Sequence, residues 1–451
     1  FKIQVKNIYL NKSLPEILKE IKKKKIDLKS LFDETTKKYK IYQNKFHAWK
    51  SFDKKIYQRK IKLSKNKYNL GTPSPLEGIP FGIKDIFNTK NFKTEMGSKI
   101  WKNFQPGNNA RVVDTLEDSG AIIVGKTVTA EYAVHKLNET KNPHNILRTP
   151  GTSSSGSAAA VCTGDVPFTL ATQTAGSIIR PASYCGVWGM KPSFGMIPRT
   201  GILKTNDTLD TVGFITSNLY NLNIILNNMR LRGLNYPLIY QNVDKKKIKL
   251  KNKYLIGFLE TDLCSPMKDY VKNSIENLKL RLSKNKKFIV KKIKWPNELN
   301  DLNKLHQKIY DKSLSYYFKK DLKNFYLSKI MKEIIYRGDK IKNEEYIEAI
   351  NAQSLLIKKI DKLLYGYDVV FTSSSAGSAT LRNEKAPSDS SLIWTLSHIP
   401  SINIPLNICP NKMPFGIQAI SKKWTDFNLI KSLEIIEKEG IIDSKNIKLV
   451  F

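Results

Sequence analysis

Residues 150–192 read PGTSSSGSAAAVCTGDVPFTLATQTAGSIIRPASYCGVWGMKP, the densest concentration of small residues in a chain of 451 residues. Gly151 to Ser157 run directly into an Ala-rich stretch that predicts a helix from about Ala158. Hydroxyls and unpaired backbone N–H groups would then gather at a helix start, where negative charge is stabilised. A second small-residue turn follows at Thr174, Ala175, Gly176 and Ser177. Taken alone, each segment reads better as a tight turn between packed elements. What distinguishes the pair is Lys84, at the end of the apolar run in GIPFGIKD (78–85). A lysine drawn out of water has a lowered pKa, because burial disfavours the ammonium form. A neutral lysine can serve as a base, and serine–lysine pairs are an alternative to the Ser-His-Asp arrangement.

Other chemistries have less support. Gly120, four residues, then Gly125, Lys126 and Thr127 satisfy the GxxxxGK[ST] pattern of a phosphate-binding loop. The intervening residues are Ala121, Ile122, Ile123 and Val124, an apolar β-branched run that predicts a strand rather than a curled loop, so nucleotide binding is set aside. Cys162, Cys185, Cys264 and Cys409 are too scattered for a disulfide framework or a CxxC metal site, and point to a reducing, cytoplasmic compartment. His47, His135, His144, His306 and His398 form no HExxH or HxxxH pair, so no zinc ligand set is visible and each reads as a surface or packing residue. No stretch approaches the ~18 consecutive apolar residues of a membrane span. Charges interrupt the opening FKIQVKNIYLNK, which therefore does not read as a signal peptide.

The net charge is 76 − 40 = +36, which on its face points to nucleic acid or an anionic membrane. Lysine is nevertheless spread from Lys2 to Lys448 beside abundant Asn and Ile, three residue types favoured by A+T-rich codons. A solvated surface of compositional origin is the better reading, and nucleic acid is not expected as a partner.

The elements that would position the chemistry fall into four parts. Residues 1–70 read as a helical segment, with Leu14, Ile17, Leu18 and Ile21 on one face and Ser13 and Glu16 as a capping pair. Residues 71–215 form a core segment in which Gly, Ser, Thr and Ala rise while Lys falls. Residues 216–365 return to a Lys-rich helical texture, expected as an insertion that sets specificity together with the loop 373–383. Residues 366–451 alternate strands, loops and a last helix. Strands interleaved with helices predict an α/β fold.

The motifs resemble the amidase signature family of serine hydrolases. GTSSSGSAAAV (151–161) is similar to the family's glycine/serine block, TQTAGSIIRPASYCGVWGMKP (172–192) to its nucleophile block, and PLEGIPFGIKD (75–85) to its lysine block. TLDTVG and HIPSINIPLN before PFGIQAI follow in the family's order, and the resemblance is least clear over 216–365. It implies a central mixed β-sheet flanked by helices, with the N-terminal helical segment packed on the core. It also implies a triad of Lys84, Ser153 and Ser177. Ser177 would attack an amide carbonyl, Ser153, after a cis peptide bond, would relay the proton, and neutral Lys84 would be the ultimate base. The backbone N–H groups of Thr174, Ala175, Gly176 and Ser177 would form the oxyanion hole, each donor worth roughly 3 kcal/mol in the transition state. Neither a metal nor an organic cofactor is required. The expected partner is a small-molecule amide, with a homodimer as the symmetry-based expectation.

Departures from the family pattern are local. Thr152 and Ser155 stand where glycines are common, Ala175 replaces a glycine, Gln173 replaces a frequent Asp, and the Arg expected at 179 is displaced to Arg180. Loss of an acid and displacement of a base in one block point to a charge pair exchanged for a neutral arrangement, closer to stand-alone amidases acting on linear amides. The alternatives are the glutamine-hydrolysing component of a tRNA-dependent amidotransferase, a hydrolase of carbamoyl or urea derivatives, and a catalytically dead binding module. Against the amidotransferase, YRGDKIKNEEY (336–346) lacks the expected LGTY-type segment with its substrate-binding Arg.

Overall fold

The computed structural model describes residues 7–246, 248, 250–259, 262, 265–299, 301–388 and 390–448. Cys264 and the first six residues, including part of the opening segment, lie outside the described residues.

Among the described residues, eleven strands form one mixed sheet. In chain order they are β1 Trp49–Phe52, β2 Pro80–Lys84, β3 Ile122–Thr127, β4 Phe168–Gln173, β5 Trp188–Lys191, β6 Thr211–Thr216, β7 Tyr254–Phe258, β8 Phe288–Lys292, β9 Val369–Ser373, β10 Ser401–Ile408 and β11 Pro414–Ile420. Across the sheet the order is β1-β3-β2-β4-β6-β5-β10-β11-β9-β7-β8. β3, β2 and β4 run parallel, as do β9, β7 and β8, while the strands between them pair antiparallel. Every residue of β2, β3, β4 and β6 is buried, which is why these strands read as continuous small or apolar runs rather than alternating ones.

The helices cover this sheet with amphipathic faces. In Leu14–Lys22, Leu14, Ile17, Leu18 and Ile21 are buried and Ser13 and Glu16 form the anticipated capping box. Each such aliphatic side chain contributes roughly 1.5–3 kcal/mol of burial. Residues 1–70 are not wholly helical, however. β1 lies within them and pairs with β3, its register broken between Trp49 and Ser51, so this segment closes one edge of the sheet. Residues 216–365 likewise supply β7 and β8 at the other edge, and are therefore continuous with the core sheet rather than inserted beside it. Lysine hid the edge strands, since β1 carries Lys50 and β8 carries Lys291 and Lys292, whereas β7 is a short apolar run directly after Lys253.

The phosphate-loop lookalike is strand and turn. Gly120 takes a left-handed φ of +86° in the turn before β3, and a Cβ on Gly125 would lie 2.1 Å from the Ser51 carbonyl of β1. Both glycines answer to backbone packing, and Lys126 Nζ donates inward to the Phe87 carbonyl at 2.8 Å and to Thr94 Oγ1 at 2.7 Å.

Candidate active site

β2 and β4 are parallel neighbours, with Gly82 paired to Thr169 and Ile83 to Leu170, so Lys84 and Thr172 emerge together at their carboxyl ends. Lys84 is fully buried. Its Nζ donates to Ser153 Oγ at 2.7 Å and to Thr172 Oγ1 at 3.0 Å. Burial pushes Lys84 down to about 7, opposed by the negative charge of Asp210.

Ser153 follows a cis peptide bond from Thr152. Its carbonyl accepts from the amide of Ala130 at 3.2 Å and from Thr129 Oγ1 at 3.2 Å, which fixes the loop against the segment after β3. The helix it leads into, Ser155–Cys162, starts earlier than the expected Ala158 and is buried throughout. A Cβ on Gly151, at φ +87°, would lie 2.9 Å from Pro181 Cα, so only glycine lets this loop rest on the nucleophile-block helix Ile179–Cys185. The departures from the family pattern have partners here. Arg180 Nη2 donates to the Thr152 carbonyl and to Thr152 Oγ1, both at 3.0 Å, while Ser155 Oγ accepts from Asn138 Nδ2 at 2.7 Å. Displaced Arg180 thus ties the nucleophile block to the residue preceding Ser153.

Ser177 lies in the loop between β4 and Ile179–Cys185. Of the three residues expected as a triad it has the most solvent contact, at 9% exposure, and its hydroxyl has no hydrogen-bond partner among the described residues. Gln173 sets the shape of this loop: its Oε1 accepts the amides of Ile178 at 2.9 Å and Ile179 at 3.0 Å, and its Nε2 donates to Thr395 Oγ1 at 3.0 Å. An uncharged amide does this without a carboxylate, and Ala175 keeps an ordinary negative φ. Thr174 Oγ1 donates to Asp210 Oδ1 at 2.6 Å, and Asp210 also accepts the amides of Thr205 and Asn206 at 2.8 Å each.

A cleft of about 320 Å³ opens beside Thr172 and Thr174. Ile86, Ala133, Ile202 and Val212 give it apolar walls and Asp210 and Arg199 its polar edge. Among the described residues the lining comes from the core segment and not from 216–365 or 373–383, where specificity was expected. The sequence pattern also gave no sign of His306 and Thr395, which bond the carbonyls of Thr174 and Ala175. Of the two placements expected for the histidines, surface or packing, His306 takes the buried one. No local signal marks either one, because a side chain that bonds a distant carbonyl leaves no spacing in the sequence. Among the described residues no group of three or more His, Cys, Asp or Glu is placed to hold a metal ion, and no helix is long and apolar enough to cross a membrane.

A large mixed sheet carrying these motifs at its strand ends defines an amidase-signature architecture. Peptide amidase from Stenotrophomonas maltophilia superposes with a TM-score of 0.83 at 22% identity, covering 97% of this chain and 99% of that one. A 6-aminohexanoate cyclic dimer hydrolase superposes with a TM-score of 0.80 at 17% identity, covering 96% and 97%. The family profile named Amidase matches residues 31–430, and the chain belongs to the amidase family of carbon–nitrogen hydrolases. Among curated relatives, the GatA-type component of glutamyl-tRNA(Gln) amidotransferase from Geobacillus kaustophilus is 38% identical over 211 residues, and that match spans only 44% of the relative's length. Its counterpart from Agathobacter rectalis is 27% identical over 471 residues, covering 94% of this chain and 93% of the relative.

Proposed function

We propose that the chain hydrolyses a carboxylic amide to a carboxylate and ammonia or an amine through an acyl-enzyme on Ser177. The observation that carries this reading is the setting of Lys84: a buried amine near neutrality whose hydrogen-bond partners, Ser153 Oγ and Thr172 Oγ1, are both hydroxyls. A neutral Lys84 accepts the proton of Ser153 as Ser153 accepts that of Ser177. The Ser177 oxygen adds to the amide carbon, and the resulting oxyanion is met by loop amides after β4. Collapse breaks the C–N bond, with the relayed proton delivered to the leaving nitrogen. Water then repeats the sequence on the ester and releases the carboxylate. Purified protein should release ammonia from at least one of a panel of aliphatic, aryl and carbamoyl amides, and a fluorophosphonate should label it. Ser177→Ala should abolish both. Labelling that persisted in Ser177→Ala would sink the assignment.

A second reading is supported by the curated relatives, whose names describe components of a glutamyl-tRNA(Gln) amidotransferase. Under it the amide is glutamine and the ammonia passes to a partner. Ammonia released from glutamine only, and only when partner proteins are added, would favour it over a stand-alone amidase.

A further inference from the structure

In a planar trans peptide the C=O of one residue and the N–H of the next point in opposite directions. Holding a carbonyl therefore aims the following amide. Three successive carbonyls in the loop after β4 are held. That of Thr174 accepts from His306 Nε2 at 2.9 Å, that of Ala175 from Thr395 Oγ1 at 2.8 Å, and that of Gly176 from the Arg180 amide at 2.9 Å. The amides aimed in this way belong to Ala175, Gly176 and Ser177, and none of them donates to an acceptor among the described residues.

The last of these anchors is local, whereas the first two arrive from elsewhere in the chain. His306 sits on the helix Leu302–Phe318 of the Lys-rich region, and Thr395 on Leu392–Leu396. Both side chains are buried. A carbonyl only accepts, so His306 Nε2 carries a proton, and burial holds the ring neutral by pushing its pKa down to about 4. The Thr395 hydroxyl accepts from Gln173 Nε2 at 3.0 Å, which leaves its single proton for the nearer carbonyl of Ala175.

We propose that His306 and Thr395 are positioning residues that preset the oxyanion-binding amides of Ala175 and Gly176 before substrate arrives. The proposal rests on the acyl-enzyme reading of Ser177. It gives the Lys-rich region a part in catalysis, through a side chain that touches neither substrate nor nucleophile.

Thr395→Val keeps the side-chain shape and removes the donor. On the amide that wild type turns over fastest, it should lower kcat about 10- to 100-fold while KM stays within about twofold. Affinity for a trifluoromethyl ketone, whose tetrahedral adduct places an oxyanion at the same amides, should fall in parallel with kcat. Thr395→Ser should restore both. At position 306, His306→Gln retains a side-chain N–H and should keep most of the activity, whereas His306→Leu should lose it to the degree seen for Thr395→Val. Wild-type kcat and adduct affinity in folded Thr395→Val would overturn the proposal, as would equal losses in His306→Gln and His306→Leu. Fluorophosphonate labelling of wild type separates the two levels: if wild type is not labelled the Ser177 reading falls, and if it is labelled while the variants match it only the positioning role falls.

Discussion

β2 and β3 end side by side, each with a buried lysine in its last two residues, and the surroundings of the two lysines could hardly differ more. Ile83 pairs with Lys126 across the ladder and Lys84 with Thr127. Both ammonium groups are out of water, and burial lowers the pKa of both. Around Lys126, however, stand not only the Thr94 hydroxyl but also the Asp85 carboxylate at 3.2 Å and the carbonyl of Phe87, groups that only accept. A neutral amine there would leave the buried Asp85 carboxylate without a counter-charge, bonded among the described residues only by the Glu95 amide, so the proton is held. Around Lys84 the bonded groups are hydroxyls, each able to donate as well as accept, and the nearby charge of Asp210 offsets only part of the desolvation. Two lysines on adjacent strands with equal burial thus have opposite uses. Lys126 ties strands and loop together, while Lys84 can let its proton go.

Substitution at each lysine tests this contrast. Lys84→Ala should reduce amide hydrolysis about 10⁴-fold in steady-state assays while circular dichroism reports a folded protein. Full activity in that variant would remove the base from the mechanism. Lys126→Met should act on stability instead. By stranding Asp85 it should cost about 3–5 kcal/mol in denaturant unfolding, with the folded fraction still active, and adding Asp85→Leu should recover most of the loss. The activity profile should be governed by Lys84 alone. Its amine is protonated below about 7, so kcat/KM should fall about tenfold per pH unit below that point and level off above it. An inflection far from 7 that survived a change of substrate would assign the limb to another group. The mildest test concerns the net charge. Lys329, 90% exposed and 4.0 Å from Glu333 one helical turn on, should tolerate Lys329→Gln with a stability change within about 0.5 kcal/mol and unchanged activity, as expected of an exposed charge in a weak surface pair.

Legibility varied with how local the cause was. The capping of Leu14–Lys22, the strand reading of residues 121–124 and the triad blocks all appear in contiguous residues, because helix starts, buried strands and close backbone turns each demand particular neighbours. β1 and β8 did not appear, since a short edge strand in lysine-rich sequence has no apolar alternation to display, and the five apolar residues of interior β7 are too short a run to stand out between lysine-rich flanks. Gln173 looked like a loss, the replacement of an acid. In the folded chain its amide serves both sides of the loop at once, accepting two backbone N–H groups and donating to Thr395.

The family, the strand-rich core and the candidate reactive side chains can all be read from the linear order of residues, because loops packed closely around Lys84, Ser153 and Ser177 demand small residues over long contiguous blocks. Which lysine can lose its charge, and which distant side chains hold the nucleophile loop, emerge only once the chain is folded. The first depends on what surrounds an amine in space, a carboxylate for Lys126 and hydroxyls for Lys84. The second depends on hydrogen bonds to backbone carbonyls, which every residue carries and no sequence pattern announces.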